Sequence, residues 1–174
     1  MLLSLSNMKL NVLLVLLLSL SLGACKPRPM NIPTVKRKEA ATLVSEAQFA
    51  VTLRDFARAE PLLEKATKLC PDTGEYWLNL GVTRKRLGNT SGAKAAYLEA
   101  LGAFRQSAKL EPTHSEPKLQ EVYVLALLGR TDDARMALEK AQKKLPDDRD
   151  IKIFVEGRQL DRILADPNFK DIAL

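Results

Sequence analysis

The chain is poor in the residues that chemistry usually requires. One histidine, His114, and two cysteines, Cys25 and Cys70, stand among 174 residues. A zinc-type site takes four ligands at short, defined spacings, and His114 and Cys70 offer no such spacing. No Ser/His or Cys/His arrangement falls on a helical face, so no nucleophile has a base beside it. No glycine-rich loop precedes a helix, which removes the usual phosphate cradle. Aromatics are only 5% of the chain, so a core must be built mainly from Ala and Leu. These shortages argue against an enzyme: no catalytic residue, metal or cofactor is expected. The formal net charge is +6, but Lys and Arg are scattered among acids instead of gathered into a stripe. Nucleic acid is therefore not an expected partner.

Long apolar runs are also scarce. The one present is Leu10 to Leu22, LNVLLVLLLSLSL. It falls short of the ~20 residues that span a bilayer. Lys9 precedes it and Leu22-Gly23-Ala24-Cys25 ends it. That order of charge, apolar core and small residues reads as a secretory signal over residues 1–24. Met8-Lys9 also suits the start of such a signal, with residues 1–7 then lying upstream of the true start. The four-residue ending resembles the bacterial lipobox, whose cysteine becomes the new N-terminus and is acylated. The resemblance implies lipid attachment at Cys25. Two or three acyl chains there would anchor the protein stably, where one would not. Lys26 in place of Asp implies the outer membrane, facing the periplasm.

Residues 25–38 read as a tether. KPRPMNIPTVKRK holds three prolines and five basic residues, a composition that favours extended polyproline-II geometry. Lys36, Arg37 and Lys38 either touch anionic head groups or merely solubilise the spacer. Cys70, just before Pro71, reads as a small, partly buried residue at a helix end, with an intermolecular disulfide as the alternative.

What the chain has in quantity is repetition. In GEYWLNLGVTRKRLGNTSGAKAAYLEAL, residues 74–101, two apolar patterns of helical period meet at Gly88-Asn89-Thr90-Ser91. Glycine supplies a left-handed stop, and the polar side chains can cap the next helix. Ala59, Ala93 and Ala134 correspond, as do Leu63, Tyr97 and Leu138, and Ala66, Ala100 and Ala141. A step near 34 residues made of two helices and two turns is a repeat signature. Seven extra residues fall between Ala100 and Pro112. They amount to two helical turns, so residues 93–110 should be one uninterrupted helix with Phe104 and Ala108 on its apolar face.

The series Ala93, Tyr97, Ala100, preceded by Trp77, Leu80 and Gly81, resembles the tetratricopeptide (TPR) repeat. The first repeat departs from it with Leu43 and Ala47, the third with Lys118 and Val122. The resemblance implies an all-α, TPR-type α-solenoid of three helical hairpins over residues 39–148. A C-terminal capping helix and tail follow over 149–174. That helix is expected to run from 149 to 165, burying Ile153, Leu160, Ile163 and Leu164, with Phe169, Ile172 and Leu174 folded back on it. Trp77 is expected in the core. Asp132, Asp133, Asp147, Asp148 and Asp150 read as caps and dipole partners.

In this family the first helices of successive hairpins line a concave groove. By register, that groove holds Val44, Gln48 and Val51, then Leu78, Asn79, Val82, Lys85 and Arg86, then Leu119, Tyr123, Ala126 and Leu127. Some members clamp a peptide carboxylate with Lys and Asn where this chain has Val44 and Gln48, so that clamp is not expected. A mostly apolar groove with a basic edge suits an amphipathic helix or an extended peptide with an acidic flank. The expected function is an envelope adaptor or assembly factor that holds another envelope protein. It would resemble the small lipoproteins that assist pilus or secretion channels. The alternatives are an adaptor for peptidoglycan enzymes and a structural module without a specific ligand.

Overall fold

The structure is a computed structural model that describes residues 29–174. The expected signal segment, residues 1–24, and Cys25, the expected acylation site, lie outside the described residues. Among the described residues nine helices follow in chain order. The first hairpin is α1 (Thr34–Thr52) and α2 (Phe56–Leu69). The second is α3 (Gly74–Arg86) and α4 (Thr90–Leu110). The third is α5 (Glu116–Leu127) and α6 (Thr131–Lys144). Then come α7 (Arg149–Glu156), α8 (Gln159–Ala165) and α9 (Pro167–Lys170). Helices pack within each hairpin and then hairpin on hairpin, α2 against α3 and α4 against α5. That nearest-neighbour stacking is the solenoid geometry.

The turn inside each hairpin falls on one residue in the left-handed region: Arg54, Gly88 and Gly129, with φ of +59°, +78° and +70°. Asn89 and Asp55 then start the next helices, their side chains accepting from the backbone N–H groups of Gly92 and Arg58. Between the helices of a pair, small residues let backbones approach. Ala40, Ala47 and Ala50 of α1 meet Ala59 and Ala66 of α2 in the N-terminal core. Gly81 lies so close under the Tyr97 ring that a Cβ there would overlap it. Tyr97 is fully buried at the centre of the second core cluster. Trp77 is only partly buried. It borders both clusters, and its indole N–H donates to the Pro71 carbonyl at 3.0 Å. Arg84 joins neighbouring hairpins through Glu60 at 3.0 Å and through Glu64.

The seven-residue insertion lies inside α4, which runs unbroken for 21 residues. At 1.5 Å per residue the extra two turns lengthen it by ~10 Å. The extension is held from both sides. Phe104 is buried against Gly74, where an added Cβ would come within 2.7 Å of its ring. Arg105 bridges to Glu121 of α5 at 2.7 Å.

Three expectations need correction. The helix begins at Thr34, inside the stretch read as a tether. Pro33 stands just before its first turn, where a fixed φ favours helix entry and a missing N–H costs nothing. Arg37 on its first turns pairs with Asp72, in the turn before α3, at 2.7 Å. The second correction concerns the cap. Residues 149–165 are two helices, broken at Gly157 and at Arg158, whose φ is +49°. The buried set also differs: Ile151 is fully buried, whereas Ile153 is 51% exposed. Third, the tail does not simply fold back on that helix, as the groove geometry shows. Cys70 is buried at the end of α2, its thiol facing the Lys36 carbonyl at 3.9 Å. Burial pushes that thiol's pKa up, with Arg37 pulling the other way.

Candidate partner-binding groove

The first helices of the hairpins, α1, α3 and α5, carry all the groove residues expected from register. The structure divides them into two halves with different fates.

In the N-terminal half, Gln48 and Val51 of α1 face Asn79 and Val82 of α3 across a cavity of ≈ 240 Å³. Ala47, Phe56 and Leu63 help form its floor. Val44 is not part of this opening. It is buried with the alanines of the first hairpin, because helix packing at that level needs an aliphatic side chain. Lys85 stands at the far end of α3 and forms no ion pair among the described residues. The half-groove thus offers aliphatic walls, two amides and a free cation. Those groups can take an apolar side chain, pair with a peptide backbone and attract a carboxylate.

The C-terminal half is covered by the chain's own tail. Phe169 of α9 is buried and meets the Tyr123 ring edge to face, with centroids 5.6 Å apart. The Tyr97 hydroxyl donates to the Ile172 carbonyl at 2.7 Å, and the Leu174 N–H donates to the Leu127 carbonyl at 2.8 Å. Arg86 pairs with Asp171 at 3.3 Å. Leu78, Val82 and Tyr123 pack against this cluster, and Leu127 and Ala126 are buried in it. Leu119 is half-buried on α5. Burial raises the pKa values of Tyr97 and Tyr123, so both phenols stay protonated, Tyr97 as a donor and Tyr123 as packing surface against Phe169.

The register of Trp77 placed the groove residues on the right helices but could not show the tail. Asp171, Ile172 and Leu174 were the missed participants. The signal available was apolar Phe169, Ile172 and Leu174 just beyond Asp166-Pro167, a chain stop. Their destination depends on a break at Gly157 and Arg158, of which only the glycine is a sequence signal. Arg84 was missed as well, since its partners lie on the preceding hairpin. Among the described residues no cluster of three metal-ligating side chains exists. His114 is exposed and sits beside Glu111 at 2.8 Å.

Residues 44–108 match the tetratricopeptide repeat family model. The match begins midway along α1 and ends within the α4 extension, so it covers most of the first two hairpins. A search of the curated proteins finds no match. The third hairpin, α5 and α6, continues the same stacking beyond the matched residues. The chain is an all-α solenoid of the tetratricopeptide type, a fold that serves as a protein–protein interaction module.

Proposed function

We propose that this protein is a membrane-anchored adaptor of the bacterial envelope. It would hold a segment of another envelope protein in the N-terminal half of its groove, in the manner of a pilotin for a pilus or secretion channel. The observation that carries the reading is the opening framed by Gln48, Val51, Asn79 and Val82, with Lys85 three residues beyond Val82 on α3. Its walls are apolar and its polar groups are few, as in sites that take one anchoring side chain and fix its backbone. Attachment through Cys25 is supported by the apolar run and the Leu22–Cys25 ending. Acyl chains there would place the groove at the periplasmic face of the outer membrane. Two experiments test the reading. Cys25→Ser should move the protein out of the membrane fraction and abolish acyl labelling; retention would remove the lipoprotein part. Crosslinking from Val82 in cells, with identification of the joined peptide, should give a secretin-type or pilus-type envelope protein. A cell-wall hydrolase there would favour the peptidoglycan alternative.

A further inference from the structure

We propose that the cleft between α4, α5 and α6 binds a small phosphate polyanion. This cleft is separate from the groove, and the inference does not rest on the adaptor reading. It is ≈ 310 Å³ in volume, at the small-ligand end of natural binding sites. Arg105, Lys109, Lys118, Lys140 and Lys144 line it, over a floor of three alanines. Glu121 is the one carboxylate in its wall, and it is already paired with Arg105 at 2.7 Å.

The charges are arranged in a way that folding does not reward. Arg105 and Lys109 are four apart on α4, and Lys140 and Lys144 are four apart on α6. Like charges at that spacing are neighbours on a helix surface and destabilise it. Here two such pairs line the same cleft. Lys109, Lys140 and Lys144 form no ion pair among the described residues. Lys118 is buried at 8% exposure, and its ammonium donates to the carbonyls of Pro112 and His114 at 2.8 and 2.7 Å. Burial chiefly lowers its pKa, the nearby Lys144 lowers it further, and Asp148 opposes both.

The ligand class follows from charge and size. One carboxylate would leave most of the positive charge unbalanced, whereas each phosphate monoester carries about −1.5 to −2. Lysines suit phosphate as point charges that need no fixed fork geometry. The α4 wall exists because of the inserted turns: Arg105, Ala108 and Lys109 all lie between Ala100 and Pro112. The insertion thereby gains a purpose that repeat geometry alone does not give it.

The test is calorimetric titration of the full chain, held in nonionic detergent, with pyrophosphate. Short-chain phosphatidate and the matching phosphocholine lipid form a second arm. Lys109→Glu with Lys144→Glu is the variant. Lys65→Glu with Lys68→Glu on α2 is the control of equal charge change. Pyrophosphate should bind wild type and control alike, and lose about tenfold or more for each cleft cation removed. Lys140→Ala, at an exposed position, reads the same loss if charge reversal disturbs helical content. Binding of phosphatidate over phosphocholine, with the same sensitivity, assigns the source to a lipid head group. A response to pyrophosphate alone assigns it to a free phosphate compound. The proposal is overturned if neither phosphate ligand binds or if variant and control weaken equally.

Discussion

The Tyr97 hydroxyl of α4 donates to the Ile172 carbonyl of the tail at 2.7 Å, joining residues 75 apart in sequence. Tyr97 therefore works at both ends. Its ring fills the space that Gly81 leaves between α3 and α4, and its hydroxyl pins the segment that closes half of the groove. Replacing Tyr97 by Phe should keep the ring packing and lose the hydrogen bond, at about 1 kcal/mol. Phe169→Ala, which empties a buried aromatic site against Tyr123, should cost ~3 kcal/mol or more. Urea unfolding of both variants checks the order. Equal losses would mean that the hydroxyl contact, not the ring, holds the tail.

Gly81→Ala should be destabilising although alanine favours helices. The new Cβ would overlap the Tyr97 ring, and overpacking a dense core costs ~1–3 kcal/mol. The double variant Gly81→Ala with Tyr97→Leu should recover part of that loss. Additive losses in thermal unfolding would contradict the close-approach argument.

Arg54→Gly should stabilise the protein. The three hairpin turns use one equivalent left-handed position, and only the first is filled by a side-chain residue. An L-residue there is strained by ~1–2 kcal/mol, while glycine adds unfolded-state entropy that offsets part of the gain. A net rise of up to about 1 kcal/mol is expected. A fall in the urea midpoint would show that Arg54 makes a stabilising contact that outweighs the strain.

Asp148 gives a pH-dependent prediction. Its carboxylate accepts from the backbone N–H groups of Ile151 and Asp150, both at 3.0 Å, at the start of α7. The Ile151 bond leads in holding its pKa below the ordinary value of 3.8. A depressed folded pKa means that the stabilisation is complete above the unfolded value and disappears as pH falls through the folded one. Wild type and Asp148→Asn should therefore differ in thermal midpoint at neutral pH and converge below pH 3.8. A difference that persists in acid would assign the effect to shape instead of charge.

Much of this fold was legible in particular residues. Ala59, Ala93 and Ala134, with Gly88 and Pro71, marked the hairpins because close packing and turn geometry accept few residue types. The α4 extension was legible because Phe104 and Ala108 keep the apolar face in phase. Arg158 was not, since arginine carries no left-handed preference. Ile151 and Ile153 lie on opposite faces of α7, and the structure turns Ile151 inward. The start of α1 was obscured because Pro33 reads equally as a spacer residue and a helix-entry residue. In the groove, register placed Gln48, Val51, Asn79 and Val82 together. The fate of Tyr123 depended on a tail whose destination is set by tertiary packing, not by local pattern.

The central claim is that the open, N-terminal half of the groove receives the partner while the tail occupies the other half. The most direct measurement is photo-crosslinking in cells from single positions, Val51 in the open half and Tyr123 under the tail, followed by mass mapping of the joined peptides. Val51 should join an envelope protein. Tyr123 should join residues 166–174 of its own chain. A partner joined through Tyr123, with none at Val51, would contradict the account.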